Sequence, residues 1–317
     1  MGAIRRLKHV LQLLVLGGVS LWAGFAQAEA PVSLIPGMVY TQAETRDGPK
    51  PLRLDLYMPR NGCTGGCAVV VGVHGGGFVA GDRKTPFGVT MAKAAAQAGF
   101  AAILIDYRLV EDLPELSKDT QTALAGEIGR AKARIVQRVP RGRRAVAALA
   151  AMEDVAVSLD WITAQSDRYG LRADKVAVFG LSAGASVALN LTYGADEMDV
   201  PLAMPIAGVV DYQGRLFDGF ELAAGDPPVM VAHGTADDRV EFNDAVAIHE
   251  AAKAAEVPVW YVPLADVGHG FEAMHPGRTI VEGETLLGMT LTFFDQVLGT
   301  PGELTSRCVT NRADLCD

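Results

Sequence analysis

The chain predicts an α/β architecture in which a mostly parallel central sheet carries helices on both faces. Three observations carry this: short β-branched runs without polar alternation, longer helical patterns between them, and no internal repeat or low-complexity linker across 317 residues. Strands that alternate with helical segments are the pattern of βαβ units. A continuously apolar strand is one covered on both faces, as in a parallel sheet.

Taken in order, Leu52 to Met58 alternates apolar with polar residues and is expected as an early antiparallel edge strand. Ala68 to Val73, Ala101 to Ile105, Val176 to Phe179, Val229 to Ala232 and Val259 to Val262 are expected as buried parallel strands. Helices are expected around residues 85 to 98, 152 to 167, 183 to 193, 241 to 255 and 281 to 298. Residues 111 to 150 break the rhythm and are expected as a helical, lid-like insertion before a helix beginning near Met152. From Gly129 to Arg144 this insertion carries Arg130, Lys132, Arg134, Arg138, Arg141, Arg143 and Arg144 and no acidic residue. Such a run is either a solvated helical face or a lid that recognises anionic groups on a substrate or envelope surface.

Half the residues are hydrophobic and 21% are charged, which excludes the disordered class and allows one large core. Arg5, Arg6 and Lys8, the apolar run Val10 to Phe25, and Ala26-Gln27-Ala28 together read as a cleaved export signal over residues 1 to 28. The apolar run falls short of the ~20 residues that span a bilayer, so no lasting membrane span is expected after cleavage. One domain, residues 29 to 317, remains, ending in a tail from 299 onward. Losing three of the 28 Lys and Arg against 37 Asp and Glu moves the net charge from −9 to about −12, which disfavours a nucleic-acid partner. An exported chain, periplasmic or secreted, folds where disulfides form, and the four cysteines fall as close pairs, Cys63 with Cys67 and Cys308 with Cys316. Local pairing is the expectation. Zinc at Cys63-x3-Cys67 lacks further ligands at the usual spacing.

Gly180-Leu181-Ser182-Ala183-Gly184 lies between an expected strand and an expected helix. That context fits a sharp turn projecting the Ser182 hydroxyl from the carboxyl edge of the sheet, with the next helix's N-terminus aimed at the reaction centre. His74-Gly75-Gly76-Gly77-Phe78 closes another strand, and three ordered glycines point to backbone amides that approach something closely. In acyl transfer that something is an oxyanion, for which Gly76, Gly77 and Ala183 are the candidate donors. A phosphate loop would need a Lys-Ser/Thr ending, which is missing.

Of six histidines, His9 leaves with the signal, His74 belongs to the glycine loop, His233 sits just past a strand and His249 lies inside a helix. His269 occupies a turn-rich loop after the strand ending at Val262 and is the candidate base, with His275 second. Asp237 and Asp238 follow another strand and are the candidate acids. The order Ser, Asp, His differs from that of chymotrypsin-like and subtilisin-like enzymes.

At these residues the sequence resembles bacterial carboxylesterases of the α/β-hydrolase superfamily, near the hormone-sensitive-lipase-like and feruloyl-esterase-like groups. The glycine loop, Asp106-Tyr107-Arg108 and His269-Gly270-Phe271 carry the resemblance, over roughly residues 40 to 298. Leu181 before the serine and Ala185 after Gly184 depart from the lipase-like elbow, whereas His233 to Asp238 is similar to the acid segment of feruloyl-esterase-like and prolyl-oligopeptidase-like hydrolases. The resemblance implies Asp237 as the acid and an α/β-hydrolase fold that cleaves small-molecule esters through an acyl-enzyme, without metal or organic cofactor. A serine peptidase with the same triad and a non-catalytic binding protein are the alternatives. Phe78 and Phe271, which adjoin these loops, and part of the 111 to 150 insertion are expected either as pocket walls or as ordinary core. Tyr107 is expected under the glycine loop, and Arg108 against a carboxylate.

Overall fold

A computed structural model describes residues 32–125, 142–196, 200–217, 220–299 and 304–316. The expected signal, and Arg130, Lys132, Arg134, Arg138 and Arg141 of the basic run, lie outside the described residues.

Nine described strands form one sheet in the order β1-β2-β4-β3-β5-β6-β7-β8-β11. They are β1 (Val32–Ala43), β2 (Lys50–Pro59), β3 (Cys67–Val73), β4 (Ala101–Ile105), β5 (Leu171–Leu181), β6 (Ile206–Tyr212), β7 (Val229–Gly234), β8 (Val259–Leu264) and β11 (Arg307–Cys308). The pairs β1/β2 and β2/β4 are antiparallel, and every pair from β4 to β11 is parallel. A small hairpin of β9 (Ile280–Val281) and β10 (Glu284–Thr285) stands apart. The helices are α1 (Pro86–Gln97), α2 (Lys118–Ala125), α3 (Arg143–Tyr169), α4 (Ala183–Gly194), α5 (Phe242–Ala254) and α6 (Leu286–Leu298). Among the described residues no helix is long and apolar enough to cross a membrane.

Strand alternation divides the core into two layers. Val69, Val71, Ile103, Val178 and Val231 face α3, α4 and α5, and their neighbours Val70, Leu104, Phe179 and Met230 face α1 and α6. Both faces are covered, which is why these strands read as unbroken apolar runs. At roughly 25 cal/mol per Å² of apolar surface, each fully buried Val, Leu or Phe stabilises the fold by about 1.5 to 3 kcal/mol before chain entropy is counted.

Four elements differ from expectation. The segment Leu52 to Met58 is antiparallel, but it is not the edge: β1 lies outside it, and pairing shifts register between Ile35 and Met38. Pro36 and Gly37 fall at that irregularity and mask the strand pattern. Helix α3 begins at Arg143 rather than near Met152, because Ala147, Ala148, Ala150 and Ala151 pack into the core; the last eight residues of the expected insertion are therefore core helix. Strand β6 completes the sheet between β5 and β7. In the tail, β11 extends the sheet beside β8. Both local disulfides are present, Cys63–Cys67 with Cα atoms 4.9 Å apart and Cys308–Cys316 with Cα atoms 5.8 Å apart.

Candidate active site

The carboxyl ends of β3, β5, β6, β7 and β8 converge on one rim, where open parallel sheets place their sites. Ser182 follows β5 and precedes α4, at φ 56° and ψ −119°. A serine held at positive φ is a strained turn that only over-determined surroundings keep in place. Here the surroundings are steric. A Cβ on Gly180 would overlap the backbone of Gly184 and Ala185, and one on Gly184 would overlap the carbonyls of Val73 and His74. The Ser182 amide donates to the Tyr212 carbonyl at 2.8 Å, which ties the turn to β6.

The structure brings Ser182, His269 and Asp237 together in one hydrogen-bonded chain. His269 Nε2 lies 2.9 Å from Ser182 Oγ, and His269 Nδ1 lies 2.7 Å from Asp237 Oδ2. An ionised carboxylate only accepts, so Nδ1 carries the proton and the Nε2 lone pair faces the serine hydroxyl. The other oxygen, Asp237 Oδ1, accepts the amides of Arg239 and Val240, both at 2.9 Å. Burial alone would raise this carboxyl's pKa. The bonds from His233, His269 and the two amides outweigh burial and hold it well below the usual carboxylate range. Asp238 is exposed and makes none of these contacts.

The glycine loop faces the serine. Gly76 has φ 124° and Gly77 φ 61°, and a Cβ on Gly76 would overlap the Ala80 carbonyl. The amides of Gly76 and Gly77 have no acceptor among the described residues, and the Ala183 amide opens α4 and has no acceptor within it. The loop is braced from below. His74 stacks on Tyr107 with ring centroids 4.1 Å apart, its Nδ1 contacts the Gly75 carbonyl at 2.8 Å, and the Tyr107 hydroxyl donates to the His74 carbonyl at 2.9 Å. Burial depresses the His74 pKa, outweighing the Gly75 carbonyl and the charges of Asp106 and Asp82, which act the other way. Arg108 donates to Asp154 and Glu153 in a buried cluster and also reaches the Glu44, Glu115 and Ala150 carbonyls.

Three residues at this site were not legible in advance. Gln213, just past β6 at φ 58°, brackets His269: its Nε2 donates to the Gly268 carbonyl at 2.6 Å and its Oε1 accepts the Gly270 amide at 2.7 Å. His233 places Nε2 at 3.2 Å from Asp237 Oδ2 and at 3.0 Å from the Val240 carbonyl. Both partners accept, so that nitrogen is protonated. Burial works against a charge on His233, but the Asp237 bond, the Asp211 charge and the Val240 carbonyl together raise its pKa. Asp211, fully buried on β6, is pushed up to about 6, chiefly by burial, although His233 and the Gly214 amide act the other way. The adjacency of His233 and Gly234 to the acid segment was a usable signal; for Gln213 there was none before β6 was known.

Ser182, His269 and the glycine loop line a cavity of about 860 Å³, to which Phe78 and Phe271 also contribute walls. That volume suits a small organic molecule. Phe78 is buried, whereas Phe271 is partly exposed and meets Phe87 edge-on at 6.4 Å. His275, the second candidate base, lies against Phe271, and its Nδ1 accepts the Gly277 amide at 3.2 Å instead. His249 stacks on Tyr261.

Comparison with known proteins agrees with this layout. The family model BD-FAE matches residues 54–133, and a model described as alpha/beta hydrolase fold matches residues 146–215. Fumonisin B1 esterase of Sphingopyxis macrogoltabida is 27% identical over 186 residues, covering 55% of this chain and 29% of that protein. Alpha/beta hydrolase domain-containing protein 17B of Homo sapiens is 24% identical over 110 residues, covering 32% of this chain and 38% of that one. The chain thus spans less than two fifths of the length of these curated relatives. Among solved structures, the propionate-bound esterase Est2 of Thermogutta terrifontis superposes with TM-score 0.60 at 18% identity, covering 87% of this chain and 97% of that one. A truncated carbohydrate esterase from gut microbiota superposes with TM-score 0.57 at 15% identity, covering 84% and 96%. Identities this low speak to fold. Strand order, elbow and matched segments agree on one conclusion: this chain has the α/β-hydrolase fold.

Proposed function

We propose that this chain is an exported serine hydrolase of carboxylic esters, acylated on Ser182. The observation that carries the reading is the unbroken chain from Asp237 Oδ2 through His269 to Ser182 Oγ, at 2.7 and 2.9 Å, beside the amides of Gly76, Gly77 and Ala183. As Oγ bonds to the ester carbonyl carbon, its proton moves to His269 Nε2, and the carbonyl oxygen takes up the negative charge opposite the free amides. Asp237 stabilises the imidazolium so formed. The C–O bond to the alcohol then breaks, and the alcohol leaves with the proton from Nε2. Water, deprotonated by the same nitrogen, attacks the acyl-enzyme and releases the acid and Ser182. The fold shared with solved esterases supports the ester class, and two closed disulfides support an oxidising, exported setting.

Fluorophosphonate labelling tests the nucleophile. Wild type is expected to label and to hydrolyse p-nitrophenyl esters well above peptide anilides. Ser182→Ala is expected to lose labelling and ~10^6 in kcat while unfolding at nearly the same temperature. Labelling that survives in Ser182→Ala sinks the assignment, and faster cleavage of the anilide moves the reading to a peptidase.

A further inference from the structure

The cavity beside Ser182 has a charge pattern opposite to that of the whole chain. With 37 Asp and Glu against 28 Lys and Arg, the protein is acidic. Yet the charged residues among the described lining of this cavity are Arg144, Arg215 and Arg239, with no Asp, Glu or Lys in that lining. An acidic surface repels anionic ligands, so a positive cavity set in it attracts them to one place.

Two of these arginines are mounted on the site's own framework. The Arg215 amide donates to Ser186 Oγ at 3.1 Å, and its carbonyl accepts from Asn190 Nδ2 at 2.9 Å; Ser186 and Asn190 are buried residues of α4. The Arg239 amide donates to Asp237 Oδ1 at 2.9 Å, so its backbone is fixed by the same carboxylate that holds His269. Arg215 pairs with Asp244 at 3.6 Å and keeps part of its guanidinium in solvent, while Arg144 and Arg239 are exposed with no ion pair among the described residues. Arg144 stands in the first turn of α3, where a cation opposes the helix dipole and an anion would relieve it.

We infer that the Arg144, Arg215 and Arg239 guanidiniums select esters that carry a free carboxylate, which they engage while Ser182 attacks the ester carbonyl. A carboxylate is the anion named because a planar guanidinium presents two parallel N–H groups to its two oxygens. The inference rests on the ester-hydrolase reading above and deepens it.

The test compares p-nitrophenyl hemiglutarate with p-nitrophenyl methyl glutarate, esters of the same chain length and leaving group that differ in one charge. The full chain is expected to prefer the anionic ester in kcat/KM by about tenfold or more at low salt. That preference is expected to shrink toward unity at 1 M NaCl, where the screening length falls to about 3 Å. Each of Arg144→Gln, Arg215→Gln and Arg239→Gln is expected to lower the anionic-to-neutral ratio severalfold, and the Arg→Lys variants to keep part of it. Because the readout is a ratio within one protein, a partly misfolded fraction does not distort it. Glutarate, but not glutaramide, is expected to slow fluorophosphonate labelling of Ser182, a readout that needs no turnover of either ester. A ratio near one that neither salt nor the variants move, or equal protection by both compounds, overturns carboxylate selection and leaves the hydrolase reading standing. Absence of labelling and of all ester hydrolysis overturns the hydrolase reading instead.

Discussion

The two halves of the candidate site are held in place by different physics. On the nucleophile side, β3 with its glycine loop and the β5-to-α4 elbow are fixed by exclusion: Gly76, Gly180 and Gly184 sit where no Cβ fits, and Ser182 is held at φ 56°. On the base side, the loops carrying Asp237 and His269 are fixed by polar contacts, with His233, His269 and two amides on Asp237 and with Gln213 on both flanks of His269. Close packing fails abruptly when volume is added. Hydrogen bonds fail by increments, each worth about 1 kcal/mol, or more where a charge is involved. The nucleophile side is therefore expected to be brittle toward size, and the base side to be sensitive to charge and pH.

Apart from removal of Ser182 itself, the largest expected effect is on the base side. Asp237→Asn keeps the shape but removes the charge that fixes the His269 tautomer, so kcat is expected to fall ~10^4-fold with a far smaller change in stability. A loss under tenfold in steady-state kinetics would show that another group orients His269. Gly184→Ala probes the opposite side. Its methyl group has nowhere to go against the Val73 and His74 carbonyls, and a destabilisation of about 3 kcal/mol is expected in urea unfolding, together with loss of activity. An unchanged midpoint would mean that the elbow yields, and the contrast between the two sides would collapse.

A subtler effect concerns Asp211, beneath the base side, whose pKa is raised from 3.8 to about 6. A raised carboxyl binds its proton more tightly when folded. Its contribution to stability is therefore full below about pH 4 and lost as pH rises through about 6, a change on the order of 3 kcal/mol. Asp211→Asn is expected to remove this slope, so wild type and variant should diverge between those two pH values in thermal unfolding. Parallel curves would count against it. The smallest effect is expected from Gln213→Ala, which removes both bonds beside His269 and should lower kcat about tenfold at nearly unchanged KM, as a residue that positions the base and does not touch substrate. Equal loss in the rate of fluorophosphonate labelling would place the defect at the serine–histidine step.

Legibility in the sequence follows the same physical division. Ala68 to Val73, Ala101 to Ile105, Val176 to Phe179, Val229 to Ala232 and Val259 to Val262 were readable because both faces of the sheet are covered, which leaves unbroken apolar runs. Strand β1 was not, because Pro36 and Gly37 disturb its pattern at an irregular register. Strand β6 was not, because Pro205 precedes it and Gly208 interrupts it. The elbow was legible through glycines that sterics demand at fixed spacing. Gln213, Arg215 and Arg239 were not, since a polar side chain declares its role only through the partners that the fold brings to it; Arg144 showed only as part of a basic run, and His233 only as a neighbour of the acid segment.

By itself, then, the sequence determined the alternation of strand and helix, the local cysteine pairs and the order in which serine, acid and histidine appear, because each depends on neighbours a few residues away. Tertiary structure alone decided that Gln213 flanks His269, that His233 shares Asp237, and that three arginines spread between residues 144 and 239 line one cavity. The first and the last of these join residues tens of positions apart, and such distances close only when the sheet stacks β5 through β8 and brings their carboxyl ends to a common rim; the second joins residues four apart, but only the turn after β7 aims both at one carboxylate oxygen.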